Sequence, residues 1–288
     1  MCGPRVVRCG VTLAVLQTMG LYERLFERNL GLITAAEQDA LRRSTVGIAG
    51  AGADGGMLAE RLARFGIGGI LLADPDCFEE SNINRQFAAN CRTLGKNKAT
   101  VISTELSLIN PELRVATYEK GLTSSNTKDF VKRSDVIVDE VDYLRPEVSA
   151  MLAAEARRQK KYVFMGASIG WTATVMCFSP DGQPFEEYFQ YNPRTREVNL
   201  LRYVNQVPSY FPKQLAKKIV QKRAPCPSLS PSVSLTASLL CSEIVFFLLK
   251  KRSPIIVPEI LVCDTFHREL RIYQGVRRGT PHRWQRHI

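Results

Sequence analysis

The sequence predicts an α/β fold: a mainly parallel sheet with helices on both faces, plus a smaller C-terminal lobe. Three observations predict it. Short apolar runs suited to buried strands alternate with segments that carry apolar residues at helical spacing. A glycine-rich turn, Gly50-Ala51-Gly52-Ala53-Asp54-Gly55-Gly56, joins the first such run to the helix after it. The polar and acidic stretches fall just past the strand candidates, and ligands of such sheets sit at the carboxyl ends of strands.

At 288 residues, 45% apolar and 23% charged, the chain can bury a substantial core and is globular rather than disordered. One large domain with an extra lobe fits this length. The net charge of +11 is explained most plainly by a solvated basic surface. It also admits an acidic protein, a polyphosphate or RNA as partner. None of the eight cysteines is spaced C-x-x-C, which argues against a zinc knuckle or a dithiol redox site. No zinc is expected, and a reducing, cytoplasmic setting is.

Residues 1–20 carry no readable pattern, and Val11–Leu16 is too short an apolar run for a secretory signal. Tyr22–Asn29 reads as a helix. Thr34 and Glu37 make a capping-box start for another over Ala35–Arg42. Thr45–Ala49 is the first strand, Met57–Phe65 the next helix and Ile70–Ala73 the second strand, ending at Asp74. Asp76–Cys91 is polar and irregular, as a functional loop would be. Lys96 and Lys98 open a helix that Pro111 stops. Then come strand Arg114–Tyr118, helix Asn126–Arg133 and strand Val136–Val138. Helix Pro146–Lys160 follows, with strands Tyr162–Ala167 and Ala173–Phe178 completing the nucleotide-binding core, residues 45–178.

The lobe over residues 179–274 carries a basic helix, Lys213–Arg223, and an exposed loop at Pro225-Cys226-Pro227. A long helix, Val233–Lys251, and a closing hairpin of Ile260–Cys263 with Leu270–Tyr273 end the domain at residue 274. The stretch Ser232–Leu249 is very apolar, but Glu243 and several serines interrupt it. A buried core helix is therefore expected, and no membrane. Residues 275–288 form a basic tail.

Within this plan the glycine turn matches G-x-G-x-x-G in the right setting, between a strand and a helix. Gly50 allows the tight turn, Gly52 lets backbone approach a phosphate, and Gly55 lets helix and strand pack closely. The fold is then Rossmann-like, with a helix start offering free N–H groups to an anion. Asp74 lies 74 − 50 = 24 residues past the first glycine, where an acid reaches ribose hydroxyls. The acids Asp139, Glu140 and Asp142 follow the fourth strand and point to a magnesium ion. Arg85 and Lys98 make a charge clamp for a polyphosphate. A nicotinamide-dependent oxidoreductase would leave Arg85, Lys98 and Asp142 without a task.

These residues resemble the ThiF/MoeB/HesA superfamily of adenylate-forming enzymes, relatives of ubiquitin-activating enzymes. The likeness runs from Arg28 to about Leu249. It rests on the glycine loop, Asp74-x-Asp76, Ser81-Asn82-Ile83-Asn84-Arg85-Gln86, Gly95-x-x-Lys98 and Asp139-x-x-Asp142. The resemblance implies ATP and Mg²⁺. Asp74 would hold ribose; Asn82, Arg85 and Lys98 would contact the triphosphate beside Gln86; Asp142 would hold the metal. Arg28 would reach into the partner's site of a homodimer. The reaction would be attack of a carboxylate, on a ubiquitin-like sulfur carrier or a peptide, on the α-phosphate. Acyl-adenylate and pyrophosphate would form.

Two departures stand out. The family loop is Gly-x-Gly-Gly-aliphatic-Gly, and here Ala53-Asp54 stands in the middle, where a carboxylate should repel phosphate unless it faces solvent or metal. The paired C-x-x-C zinc motifs of many members are absent. Cys226 stands roughly where members that transfer sulfur carry a nucleophile, though a plain loop thiol explains it as well. The Asn-Ile-Asn-Arg-Gln run is also typical of the branch that cyclises threonylcarbamoyl-adenosine in tRNA, which makes RNA an alternative partner. A non-catalytic subunit of an activating heterodimer is a third reading, supported by Asp54.

Overall fold

Five strands, β1 (Thr45–Ala49), β2 (Gly69–Ala73), β3 (Arg114–Tyr118), β4 (Val136–Asp139) and β5 (Val163–Ile169), run parallel in this computed structural model. Three more, β6 (Thr172–Phe178), β7 (Glu259–Asp264) and β8 (Glu269–Gln274), continue the same sheet antiparallel. The order is β3-β2-β1-β4-β5-β6-β7-β8. The structure describes residues 20–203 and 207–274. The N-terminal segment before residue 20 and the basic tail 275–288 lie outside them.

Nine helices are described: α1 (Leu21–Leu25), α2 (Ala35–Arg43), α3 (Ala53–Phe65), α4 (Lys98–Ile109), α5 (Thr127–Lys132), α6 (Pro146–Arg158), α7 (Phe185–Tyr188), α8 (Lys213–Val220) and α9 (Ser230–Leu248). Side chains alternate along each strand, so one sheet feeds two cores. Val46, Ile48, Ile70, Leu72, Val136 and Val138 meet α3, α4 and α9 through Leu58, Ile102 and Leu240. Leu71, Ile137, Val163 and Met165 point the other way, toward Phe130, Leu152 and Tyr188 of α5, α6 and α7. Both faces are covered, as the continuous apolar runs of the strands require.

The helix α9 is long and apolar enough to cross a membrane by length and composition alone. Here its buried side, with Leu240 and Ile244 fully enclosed, lies on α3, β5 and β6. The closing hairpin is β7–β8, and it completes the sheet.

Several element ends differ from the sequence expectation. The helix expected over Tyr22–Asn29 breaks at Phe26 into α1 and a short 3₁₀ turn, Glu27–Asn29. Tyr22 and Phe26 both turn inward, rings 4.6 Å apart, and the Tyr22 hydroxyl donates to the Gly66 carbonyl at 2.5 Å. The expected capping box holds: the Glu37 amide donates to Thr34 Oγ1 and the Thr34 amide to Glu37 Oε2. α6 stops before Lys160 and α8 before Lys222, because both lysines take positive φ. Two shifts matter for the site: α3 begins at Ala53 instead of Met57, and β5 runs on to Ile169.

Candidate nucleotide site

A cavity of about 350 Å³ opens at the carboxyl ends of β1, β2, β4 and β5, where the strand order reverses between β1 and β4. Its floor is the glycine loop. Gly50 has φ +97°, and a Cβ there would enter the Glu140 carbonyl. A Cβ on Gly55 would collide with the Gly50 carbonyl, so α3 can press against β1 only with glycine there. No side chain caps the start of α3, and Gly52, Ala53 and Asp54 line the cavity. Helix N–H groups are thus left for a ligand.

On the β2 side, Asp74 is 4% exposed. It accepts from the Ala51 amide at 2.6 Å and the Asp76 amide at 2.8 Å. Its carboxyl is raised above the usual value, first by burial, with backbone donors and Lys98 pulling the other way. Lys98 is the first residue of α4, buried, with its Nζ 3.5 Å from Asp76. Asn97 fixes that start: its side chain accepts from the Thr100 amide and donates to the carbonyls of Asp74, Asp76 and Glu119.

The polar loop brings in Arg85 and Gln86. The Arg85 guanidinium donates to the Ser81 carbonyl at 2.9 Å and to Asn84 at 2.8 Å. Among the described residues its buried Nε has no hydrogen-bond partner, nor has Gln86 Oε1. Leaving such atoms bare costs about 1–3 kcal/mol each, and both residues line the cavity. Asp142 is exposed, and among the described residues only its Oδ1 is taken, by the Leu144 amide at 2.8 Å. Among the described residues no group of three or more His, Cys, Asp or Glu could hold a metal. The free carboxylate oxygen of Asp142 fits a magnesium ion that takes its other ligands from phosphate and water.

Beneath the loop sit three acids. Burial pushes Asp139 up to about 6; its Oδ1 accepts from Ser149 and Val141, while the buried Oδ2 has no partner among the described residues. Glu140 accepts from the Gly166 amide at 2.7 Å and is raised well above its ordinary value by burial and by Asp54. Asp54 is half-buried in the cavity wall. Its Oδ1 lies 2.5 Å from Ser168 Oγ, which in turn lies 2.8 Å from Thr236 Oγ1 on α9. Burial pushes its carboxyl up to about 7, with Ser168 and Arg85 opposing. A carboxyl raised this far is only partly ionised near neutral pH, which weakens the charge clash expected from sequence.

Of the residues singled out in the sequence, Gly50, Gly52, Asp74, Arg85, Gln86, Lys98, Asp142 and Cys226 line this cavity. Gly55 supports it from behind. Asn82 does not line it; its Oδ1 caps the turn by accepting from the Glu79 amide. Arg28 is exposed on the 3₁₀ turn and is not part of this wall. Burial pushes the Cys226 thiol up to about 11, which disfavours the thiolate at neutral pH.

Sequence reasoning missed Ser168 and the apolar wall from Phe211, Ile219 and Val220. That wall is pinned from outside: Tyr210 accepts from the Trp171 amide at 2.8 Å, and Ser209 meets His267 at 2.9 Å. No local pattern marks these residues; the amphipathic spacing of α8 was the one available signal.

The profile of the ThiF family matches residues 26–282. The chain belongs to the ThiF family. Within it, this member is 33% identical over 165 residues to a tRNA threonylcarbamoyladenosine dehydratase of Haemophilus influenzae, covering 57% of this chain and 62% of that one. It is 30% identical over 152 residues to the sulfur carrier protein ThiS adenylyltransferase of Escherichia coli, covering 52% and 58%. Against the adenylyltransferase and sulfurtransferase MOCS3 of Dictyostelium discoideum it is 26% identical, covering 81% and 49%. The matches thus span about half to three fifths of the length of these relatives. Among solved structures, PaaA superposes with a TM-score of 0.70 at 20% identity, covering 90% of this chain and 84% of that one. E. coli MccB with ATP superposes at 0.63 and 21%, covering 85% and 68%. At that identity the likeness is one of fold.

Proposed function

We propose that this ThiF-family chain adenylates a carboxylate with ATP. One observation carries the reading: Arg85, Lys98 and Asp142, from three separate segments, line one cavity with the uncapped start of α3. A carboxylate is a weak nucleophile and must approach an anionic phosphate. Fixed cations and helix N–H groups lower that repulsion, and placement supplies much of the remaining barrier. The glycine loop and α3 cradle phosphate, Asp74 stands at the ribose end, and Arg85 and Lys98 neutralise the triphosphate. The substrate oxygen bonds to the α-phosphorus as the bond to the pyrophosphate oxygen breaks. A magnesium ion held by Asp142 would spread the phosphate charge.

The activated group is the carboxyl terminus of a ubiquitin-like sulfur carrier or of a peptide, in a cytoplasmic setting. The active unit is a homodimer in which Arg28 serves the partner's site. A second reading, action on threonylcarbamoyl-adenosine in tRNA, is favoured by the 33% identity to the H. influenzae dehydratase and by the net charge of +11. Exchange of labelled pyrophosphate into ATP tests the main reading, with small carrier proteins, peptides and tRNA as carboxylate donors. Arg85→Ala and Asp142→Ala are each expected to lower exchange by about 100-fold. Exchange unchanged in both variants rejects these site assignments.

A further inference from the structure

The two ends of the cavity differ in chemistry. Asp74, Lys98 and Leu122 line it at the β2–β3 end, Ile169 and Phe211 at the β5 end. β2 and β5 stand three strand spacings apart, about 14 Å. With ribose at Asp74 and phosphate at the start of α3, the β5 end is left for the second substrate. A strap, residues 208–228, closes that end, and both its feet stand on the β5–β6 turn. The Tyr210 hydroxyl accepts from the Trp171 amide at 2.8 Å and lies 2.9 Å from Thr172 Oγ1. The Gly170 amide donates to the Pro227 carbonyl at 2.9 Å. A Cβ on Gly170 would lie 3.0 Å from the Tyr210 ring and 3.5 Å from Phe211, so the first foot is seated against bare backbone. Between the feet runs α8, with Lys213, Lys217 and Lys218 exposed and Ile219 buried. Phe211 and Ile219 are 8% and 9% exposed, yet neither belongs to either core of the sheet. Both line the cavity instead. With Leu201, Ala216 and Val220 they form a wall whose side chains carry no hydrogen-bond donor or acceptor.

We propose that this wall receives the side chain of the residue whose carboxylate is activated, and that the substrate is a peptide ending in a large apolar residue such as leucine or phenylalanine. The proposal rests on the adenylation reading and narrows its substrate. The attacking carboxylate lies between Arg85 and the start of α3, and the side chain on the same residue extends toward the β5 end. Burying an apolar side chain against Phe211 and Ile219 is favourable in proportion to the apolar area taken from water. A carboxylate or amide side chain would lose its water there and find no partner on the wall. The lysines of α8 are on its outer side and offer such a side chain nothing. A terminal glycine would leave the wall wet. Adenine, tied to the ribose at Asp74, belongs with Leu122 at the opposite end. The wall thus selects the last residue of the substrate, while Arg85 and Lys98 respond to charge alone.

The experiment measures pyrophosphate exchange with pools of synthetic decapeptides, randomised except for a last residue of leucine, phenylalanine, glycine, asparagine or glutamate. Exchange, read as kcat/KM, is expected to be about 10-fold faster with the leucine and phenylalanine pools than with the glycine pool, and about 100-fold faster than with the glutamate pool. Ile219→Asn is expected to cut the preference for leucine over glycine about 10-fold, through KM. Val220→Asn, at a position 40% exposed, serves if the first variant fails to fold. Glycine or glutamate pools exchanging as fast as the leucine pool overturn the proposal and leave adenylation standing. Exchange with none of the pools also overturns it, and adenylation is then decided by the carrier proteins and tRNA. Methyl NMR of labelled isoleucine is a separate check. The Ile219 signal, assigned through Ile219→Val, should move on adding the leucine pool and stay in place with a non-hydrolysable ATP analogue alone. A shift with the analogue alone puts adenine against the wall and overturns the proposal.

Discussion

Ser168 Oγ lies 2.5 Å from Asp54 Oδ1, joining residues 114 positions apart in sequence. The contact ties the end of β5 to the first turn of α3, across the base of the nucleotide cavity. Burial raises the Asp54 carboxyl to about 7, and this contact pulls the other way.

Gly50→Ala should damage fold and site together. The position has φ +97°, and the added methyl would overlap the Glu140 carbonyl. Strain plus displacement should cost about 2–5 kcal/mol in chemical denaturation. A melting curve superimposable on wild type would show that the loop is looser than described.

Stability should depend on pH through Asp139. Its folded value is raised by burial from the usual 3.8 to about 6. Between those values the folded state binds more protons than the unfolded chain, so stability falls as pH rises. The contribution is complete below about pH 4 and gone above about pH 6, roughly 3 kcal/mol at most. Urea titrations at pH 4.5 and 7.5 should show the slope, and Asp139→Asn should flatten it. An unchanged slope in that variant assigns the effect elsewhere.

Cys226 should resist alkylation. Its thiol is raised to about 11, whereas Cys77 and Cys91 are exposed. Brief iodoacetamide treatment at pH 7.5, read by peptide mass spectrometry, should label Cys77 and Cys91 well before Cys226. Preferential labelling of Cys226 would reinstate it as a nucleophile.

Mixing two inactive variants tests the two-fold arrangement. If Arg28 serves the partner's site, a mixed dimer of Arg28→Ala and Arg85→Ala contains one site with neither defect. Co-refolded equal amounts should recover about one quarter of wild-type pyrophosphate exchange, since half the dimers are mixed and each has one intact site. No recovery, in a preparation shown to be dimeric, places Arg28 in its own subunit's site, and an Arg28→Ala variant that is active alone places it outside catalysis.

The sheet was legible because its signals are local. Thr45–Ala49 and Arg114–Tyr118 are found as read, since a short apolar run bounded by turn residues specifies a strand by itself. The start of α3 was not, because Gly55 and Gly56 look like turn residues while serving as contact points inside a helix. The polar loop declared Arg85 and Gln86 by composition alone. Asn82 stands off the cavity lining as a turn cap, and in sequence that role and a ligand role look alike. Ser168 carried no signal: its partners, Asp54 and Thr236, lie 114 and 68 positions away. The state of Asp54 depends on that enclosure, so the sequence could flag the residue but not its protonation.

Thr236 belongs to the same long helix that seals one face of the sheet, and it is fully buried. The hydroxyl steadying the serine–aspartate contact is therefore anchored in the cooperative heart of the molecule, not in a loop that can fray early. On warming, the geometry around Asp54 should survive until the whole domain lets go, so loss of activity and loss of tertiary structure coincide in a single transition.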